Sequence, residues 1–197
     1  MRNILRNRLA LSTVVTTLII LVVSVLLAGV VTYFAINVTS TRVQEESLHL
    51  TKQHVWYDGE NGVSQAAIMV VNTGGRDVVI DKLTVRGQEV AWAGATQMVY
   101  YTTTTQSISE DLPFLVYDPA ADPVETLADG DLTSLGDGTI TIDPASTDIT
   151  LPSGQTLIVY IASPDSITIN DIGLTVAITV FTSQAMYYKE TNVQAYV

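Results

Sequence analysis

The 197-residue chain contains no cysteine. Disulfides, thiol nucleophiles and cysteine-held metals are therefore excluded, and an exported domain of this chain must hold together by packing alone. Histidine is nearly as scarce, with only His49 and His54. Five residues apart, the two fall on different faces of a helix, which disfavours a metal pair. There is no Gly-x-Ser-x-Gly elbow and no phosphate-cradling glycine loop. With these absences go the common routes to catalysis, and the expectation is a protein that is not an enzyme and carries no cofactor and no metal. Cations are missing over a long stretch: no Lys or Arg stands between Gly87 and Tyr188, where acidic residues recur from Glu89 to Asp171. The whole chain sets 9 Lys+Arg against 20 Asp+Glu, a net charge of −11. A surface of that sign repels phosphate backbones, so no nucleic acid is expected as a partner, and the acidity reads as a solvated extracellular face.

What the chain does have is an apolar run, Leu11 to Val38, with no charged residue anywhere between Arg8 and Arg42. About 20 apolar helical residues cross the hydrocarbon core of a bilayer, so this run is long enough. Arg2, Arg6 and Arg8 precede it and only Arg42 follows closely. By the positive-inside bias the first residues stay in the cytoplasm and everything after the helix is exported. Every fourth residue from Ser12 gives Ser12, Thr16, Ile20, Ser24, Ala28 and Thr32, a stripe of mostly small side chains that Gly29 adjoins. Such a row lets helix backbones approach closely, which makes Ser12, Thr16, Ser24, Ala28 and Gly29 the expected packing residues. An ordinary single-pass anchor tolerates the same residues, and the stripe alone leaves both readings open.

A secretory signal is cut after its apolar run, at a small-x-small site. Near Ala35 and Ser40 no convincing site of that kind occurs. Leu9-Ala10-Leu11-Ser12 instead lies before the run, directly behind the arginines. An Arg-rich leader ending in Ala10, then Leu11-Ser12-x-Val14 opening a long apolar helix, resembles the class III signal peptide and N-terminal domain of archaeal type IV pilins and archaellins. The resemblance covers roughly residues 1–45. Ala10 stands where Gly is commoner in that family, and Thr13 where many members have Pro. The resemblance implies a cut by the prepilin peptidase between Ala10 and Leu11, with Arg8/Leu9 as the competing position. It further implies a subunit that sits in the cytoplasmic membrane before assembly. With the assembly machinery it would then join a homopolymeric helical filament at the cell surface, serving adhesion, motility or another purpose.

Beyond the membrane-length run, Arg42 to Lys52 is rich in helix formers, so the helix is expected to continue to Lys52, about 60 Å from Leu11 at 1.5 Å per residue. Asn37-Val38-Thr39 is a glycosylation sequon placed at the membrane edge. From Gln53 onward the signals are strands and turns. Val55-Trp56-Tyr57 leads into Asp58-Gly59-Glu60-Asn61-Gly62, and Gln65 to Val71 leads into Asn72-Thr73-Gly74-Gly75. Asp77 to Gly87, Gln97 to Thr103, Thr139 to Ile142, Leu157-x-Val159-x-Ile161, Ile172 to Val180 and Val193 to Val197 follow. Alternating apolar residues in the last segments place one face in a core. The expected fold is α+β: a leader over 1–10, a hydrophobic helix over 11–52, and over 53–197 an antiparallel β-sandwich. Val70-Val71-Asn72-x-Gly74 and Ile80 to Gly87 also resemble the immunoglobulin-like head of archaellins. Asp129-Gly130-Asp131 with Asp137-Gly138 offers oxygen ligands that suit calcium but lacks EF-hand spacing, so metal-free turns are favoured. The nine tyrosines with Trp56 and Trp92 fit core and cross-strand positions, or subunit contacts. The expected function is a filament subunit polymerising through its helix. The runner-up is a bitopic surface protein whose β-domain binds a ligand or an envelope layer.

Overall fold

The computed structural model describes residues 3–43, 45–94, 97–115 and 142–196. The chain divides into two compact units, Met1–Gln44 and Glu45–Val197.

The first unit is one helix, α1 (Asn3–Val43). Straight-chain and β-branched apolar residues fill it, no proline interrupts it, and Gly29 is its only glycine. From Leu11 to Ser40 none of its residues is covered by protein, and these 30 residues are apolar and long enough to cross a membrane. The helix runs through Asn3 to Ala10 without a break at Ala10 and Leu11. One boundary differs from expectation: the helix stops at Val43 rather than Lys52, and residues 48–58 form a strand. The reason lies in Leu48 and Leu50, both buried, with exposed His49 between them. Period-two burial against a core outweighs the helix propensity of Glu45 and Glu46.

The second unit is a curled sheet of ten strands: β1 (Leu48–Asp58), β2 (Val63–Asn72), β3 (Val78–Val85), β4 (Gln88–Glu89), β5 (Met98–Thr104), β6 (Asp143–Pro144), β7 (Ile149–Leu151), β8 (Thr156–Ala162), β9 (Thr175–Thr182) and β10 (Met186–Tyr196). Their order is β4-β3-β9-β10-β1-β2-β8-β5-β6, with β7 also on β3. All pairings are antiparallel except β1 with β10, which run parallel from Val55↔Val193 to Asp58↔Tyr196. The expected all-antiparallel arrangement is thus corrected at one seam, which joins the two halves of the sheet. Hairpin turns are readable in sequence, but the return of the last strand to the first is a long-range pairing with no local signal.

The main core lies inside the curl. Leu48, Leu50 and Val55 meet Ala66, Ile68, Val70, Ile80, Leu83, Leu157, Val159, Ile161, Val176, Ile178, Val180 and Val193 there. Ile172 and Leu174, expected on the same face as Val176, precede β9 and are 40% and 49% exposed. A second cluster sits on the opposite face of β2, β8 and β5, where Ala67, Met69, Ile158, Tyr160 and Tyr100 are covered by Ile108, Leu112 and Leu115. β8 is therefore buried on both faces. The covering segment, residues 105–115, has no strand of its own and acts as a strap.

Candidate functional site

On α1 the expected packing residues Ser12, Thr16, Ser24, Ala28 and Gly29 are all exposed. The hydroxyls turn inward to their own helix: Thr16 donates to Ser12 O (2.9 Å), Thr17 to Val14 O (2.9 Å), Ser24 to Ile20 O (2.7 Å) and Thr32 to Ala28 O (2.8 Å). Donors satisfied in this way leave the stripe small without presenting unpaired polar hydrogens to an apolar neighbour. A fourfold-spaced row follows the ridge inclined about 26° to the axis, the ridge along which helices cross in the commonest packing class. A Cβ added at Gly29 meets nothing within 4 Å, so the notch there is open. The sequon residue Asn37 lies on the same helix, its side-chain amide donating to Tyr33 O at 3.0 Å.

In the head, His49 and His54 both lie on β1 and do different things. His49 is exposed. His54 stacks on Trp56 with ring centroids 5.0 Å apart, and its Nε2 lies 2.9 Å from Asp111 Oδ1 on the strap. That hydrogen bond holds the Asp111 carboxyl below the usual carboxylate range. The ring row continues from Trp56 edge-on to Phe114 (5.8 Å), then stacked to Tyr196 (4.0 Å). Among the described residues no group of three or more His, Asp or Glu could hold a metal ion. The calcium candidates Asp129, Asp131 and Asp137 lie outside the described residues, as does most of the expected strand at Thr139 to Ile142.

The strap itself was not expected. Its backbone is fastened by side chains rather than by a ladder. Lys52 Nζ donates to the carbonyls of Ser109 and Glu110, and Tyr160 Oη to Pro113 O (3.0 Å). Gln65 makes a pair with Leu115, its Nε2 donating to Leu115 O (3.2 Å) while its Oε1 accepts from Leu115 N (2.9 Å). Burial, and after it the Asp111 charge, raises the Tyr160 pKa, so that hydroxyl stays a donor. A bulge in β1 makes the Lys52 and His54 contacts: its register against β2 shifts between Thr51 and His54, and Lys52 takes a left-handed φ of 53°. The extra residue brings Lys52 to the strap as well as His54. The apolar run Leu112 to Leu115 was the available sign of a covering segment.

Just ahead of β9 the tight turn Ile169–Asp171 is held by Asp171. Its Oδ2 accepts from Thr168 N and Oγ1 (both 2.8 Å), and its Oδ1 from Arg86 Nη1 (2.7 Å). The Thr168 bonds, with the Arg86 charge, hold this carboxyl below the usual range.

No family model and no curated protein matches the chain. Among solved structures, a copper-bound PCuAC domain from PmoF2 is similar at 13% identity over 78% of this chain and all of that domain, with a TM-score of 0.34. The ligand binding region of Serine-glutamate repeat protein A (SgrA) of Enterococcus faecium is similar at 13% identity over 78% of this chain and 99% of that one, with a TM-score of 0.26. Likeness of that degree carries no argument about fold or activity.

Proposed function

We propose that the chain is the structural subunit of a surface filament of the archaeal type IV pilus or archaellum kind. On this reading it is inserted through α1 in the cytoplasmic membrane, trimmed between Ala10 and Leu11, and polymerised by packing α1 among its copies. The head, on the same reading an immunoglobulin-like sandwich in two halves joined at the β1–β10 seam, faces outward and is neither an enzyme nor a metal protein.

The observation that carries the reading is the uncovered helix. The uncharged, predominantly apolar run of 30 residues from Leu11 to Ser40 spans about 45 Å at 1.5 Å per residue, against a hydrocarbon core of about 30 Å. The excess length, the satisfied hydroxyls and the open notch at Gly29 suit a bundle of helices better than lipid alone. The head has two hydrophobic clusters of its own among the described residues. The alternative is a bitopic surface protein that stays anchored through α1, whose apolar run is equally long enough for a single-pass anchor. N-terminal sequencing of protein recovered from cell surfaces separates the two. A mature terminus at Leu11 is expected; a retained Met1 in the surface form overturns the filament reading in favour of the anchor.

A further inference from the structure

The turn between β1 and β2 carries the chain's one Asn-Gly pair, Asn61-Gly62; every other asparagine is followed by a bulkier residue. Both residues are exposed. A glycine has no Cβ to keep its nitrogen away from the preceding side chain, and Gly62 takes a left-handed φ of 70° with open space where a Cβ would stand. That nitrogen and the Asn61 carboxamide are a nucleophile and an electrophile within one turn. In the fold Asp58, only 3% exposed, ties up both. The Gly62 amide donates to Asp58 O (3.0 Å), and the Asn61 side-chain amide to Asp58 Oδ2 (2.7 Å). Asp58 Oδ1 accepts from the main-chain amides of Glu60 (2.8 Å) and Asn61 (3.2 Å), which fixes the turn between them. The nitrogen that would attack is thus directed at one oxygen of Asp58 and the group it would attack at another. The negative charge beside them also opposes loss of the amide proton, which the attack requires.

We infer that Asn61 is a self-modification site, held closed by Asp58 in the folded turn, that converts to aspartate or isoaspartate whenever the β1–β2 turn opens. The Gly62 nitrogen gives its proton to solvent and bonds to Asn61 Cγ; the Cγ–Nδ2 bond breaks, and Nδ2 leaves as ammonia after taking a proton from solvent. Water then opens the cyclic imide at either carbonyl, with no change of oxidation state. The product no longer fits. A carboxylate at position 61 stands against Asp58 Oδ2 where an N–H had donated, and isoaspartate lengthens the main chain by one carbon, so the modified turn does not close as before. The effect has a path into the head: Asp58 pairs with Tyr196 at the end of the parallel seam, Tyr196 stacks on Phe114 of the strap, and Phe114 stands edge-on to Trp56. Conversion therefore records the time that the turn spends open, whether or not the chain forms filaments.

The test follows ammonia loss at each asparagine by peptide mass spectrometry, on the full chain in detergent and on the same chain unfolded in guanidinium. Asn61 is expected to convert first in the unfolded chain, and roughly tenfold or more slowly in the native one, where local opening limits the reaction. Asp58→Asn cannot accept from both sides of the turn and is expected to raise the native rate about fivefold while circular dichroism shows the sheet intact. Asn61→Asp, the product itself, is expected to melt below the wild type with altered Trp56 fluorescence, and reports on the turn even where Asp58→Asn fails to fold. An unfolded chain in which Asn61 is no faster than the other asparagines overturns the site. A native rate equal to the unfolded one, or a folded Asp58→Asn that converts no faster than wild type, overturns the closure by Asp58. Asn61→Asp with wild-type melting and fluorescence overturns the link to the seam.

Discussion

Gly74 has no room for a side chain. A Cβ there would stand 2.7 Å from Glu45 O and 2.8 Å from Ser47 N, both main-chain atoms that cannot swing aside. Gly74→Ala is expected to destabilise the head by about 1–3 kcal/mol, read as a lower urea midpoint with an unchanged slope. The turn at Asn72 to Gly75 was legible from its residue types, but this contact was not, because residues 45–47 read as helix. Asp171 gives a prediction of another kind. Its folded pKa lies below the ordinary value near ~4, so the stability it adds is fully present above that value and is lost as pH falls through the folded pKa. Asp171→Asn is therefore expected to melt below the wild type at pH 7, with the difference closing as acid is added toward pH 2. A difference that stays constant across that window would assign the loss to the Arg86 and Thr168 geometry and not to charge.

At the scale of elements, most strands could be read from alternation: Leu157, Val159 and Ile161 in β8, and Val176, Ile178 and Val180 in β9, all point into the core. What hid the rest was competition between periods and between distances. Leu48 and Leu50 carry a two-residue period too short to stand out against Glu45-Glu46 and the helix before them. The strap has no period at all, since side chains from β1, β2 and β8 hold it, and such fastenings depend on which strands lie side by side. Gln65 is its firmest point because one amide satisfies both backbone groups of Leu115. Gln65→Ala leaves a buried N–H and C=O unpaired, at a cost of about 2 kcal/mol. The strap is expected to lift before the sheet melts. Proteolysis within residues 105–115 and a change in Trp56 fluorescence at denaturant levels that leave far-ultraviolet circular dichroism intact would register that order; a single coincident transition would mean that strap and sheet unfold together.

For the whole molecule, the two-part plan of apolar helix and acidic β-rich head was legible because composition changes abruptly near residue 45. The joining of the two halves of the sheet through a parallel seam was not, because nothing local ties Val55 to Val193. The same division of labour makes the helix testable apart from the head. Lys at Val22 or Val25 puts a charge at the centre of any helix bundle and is expected to abolish filaments, but it also weakens membrane insertion, so its failure to assemble has two explanations. Gly29→Leu has one. In the single chain the new Cβ meets open space, and leucine favours helix over glycine by about 0.8 kcal/mol, so α1 loses no stability and the head is untouched. Insertion improves as well, since leucine is the more apolar residue. Only a neighbouring helix lying against Ala28 and Gly29 would feel the added bulk. The variant is expected to reach the membrane at normal levels and yield no surface filaments by electron microscopy, whereas filaments of normal length and number would remove Ala28 and Gly29 from the packing interface.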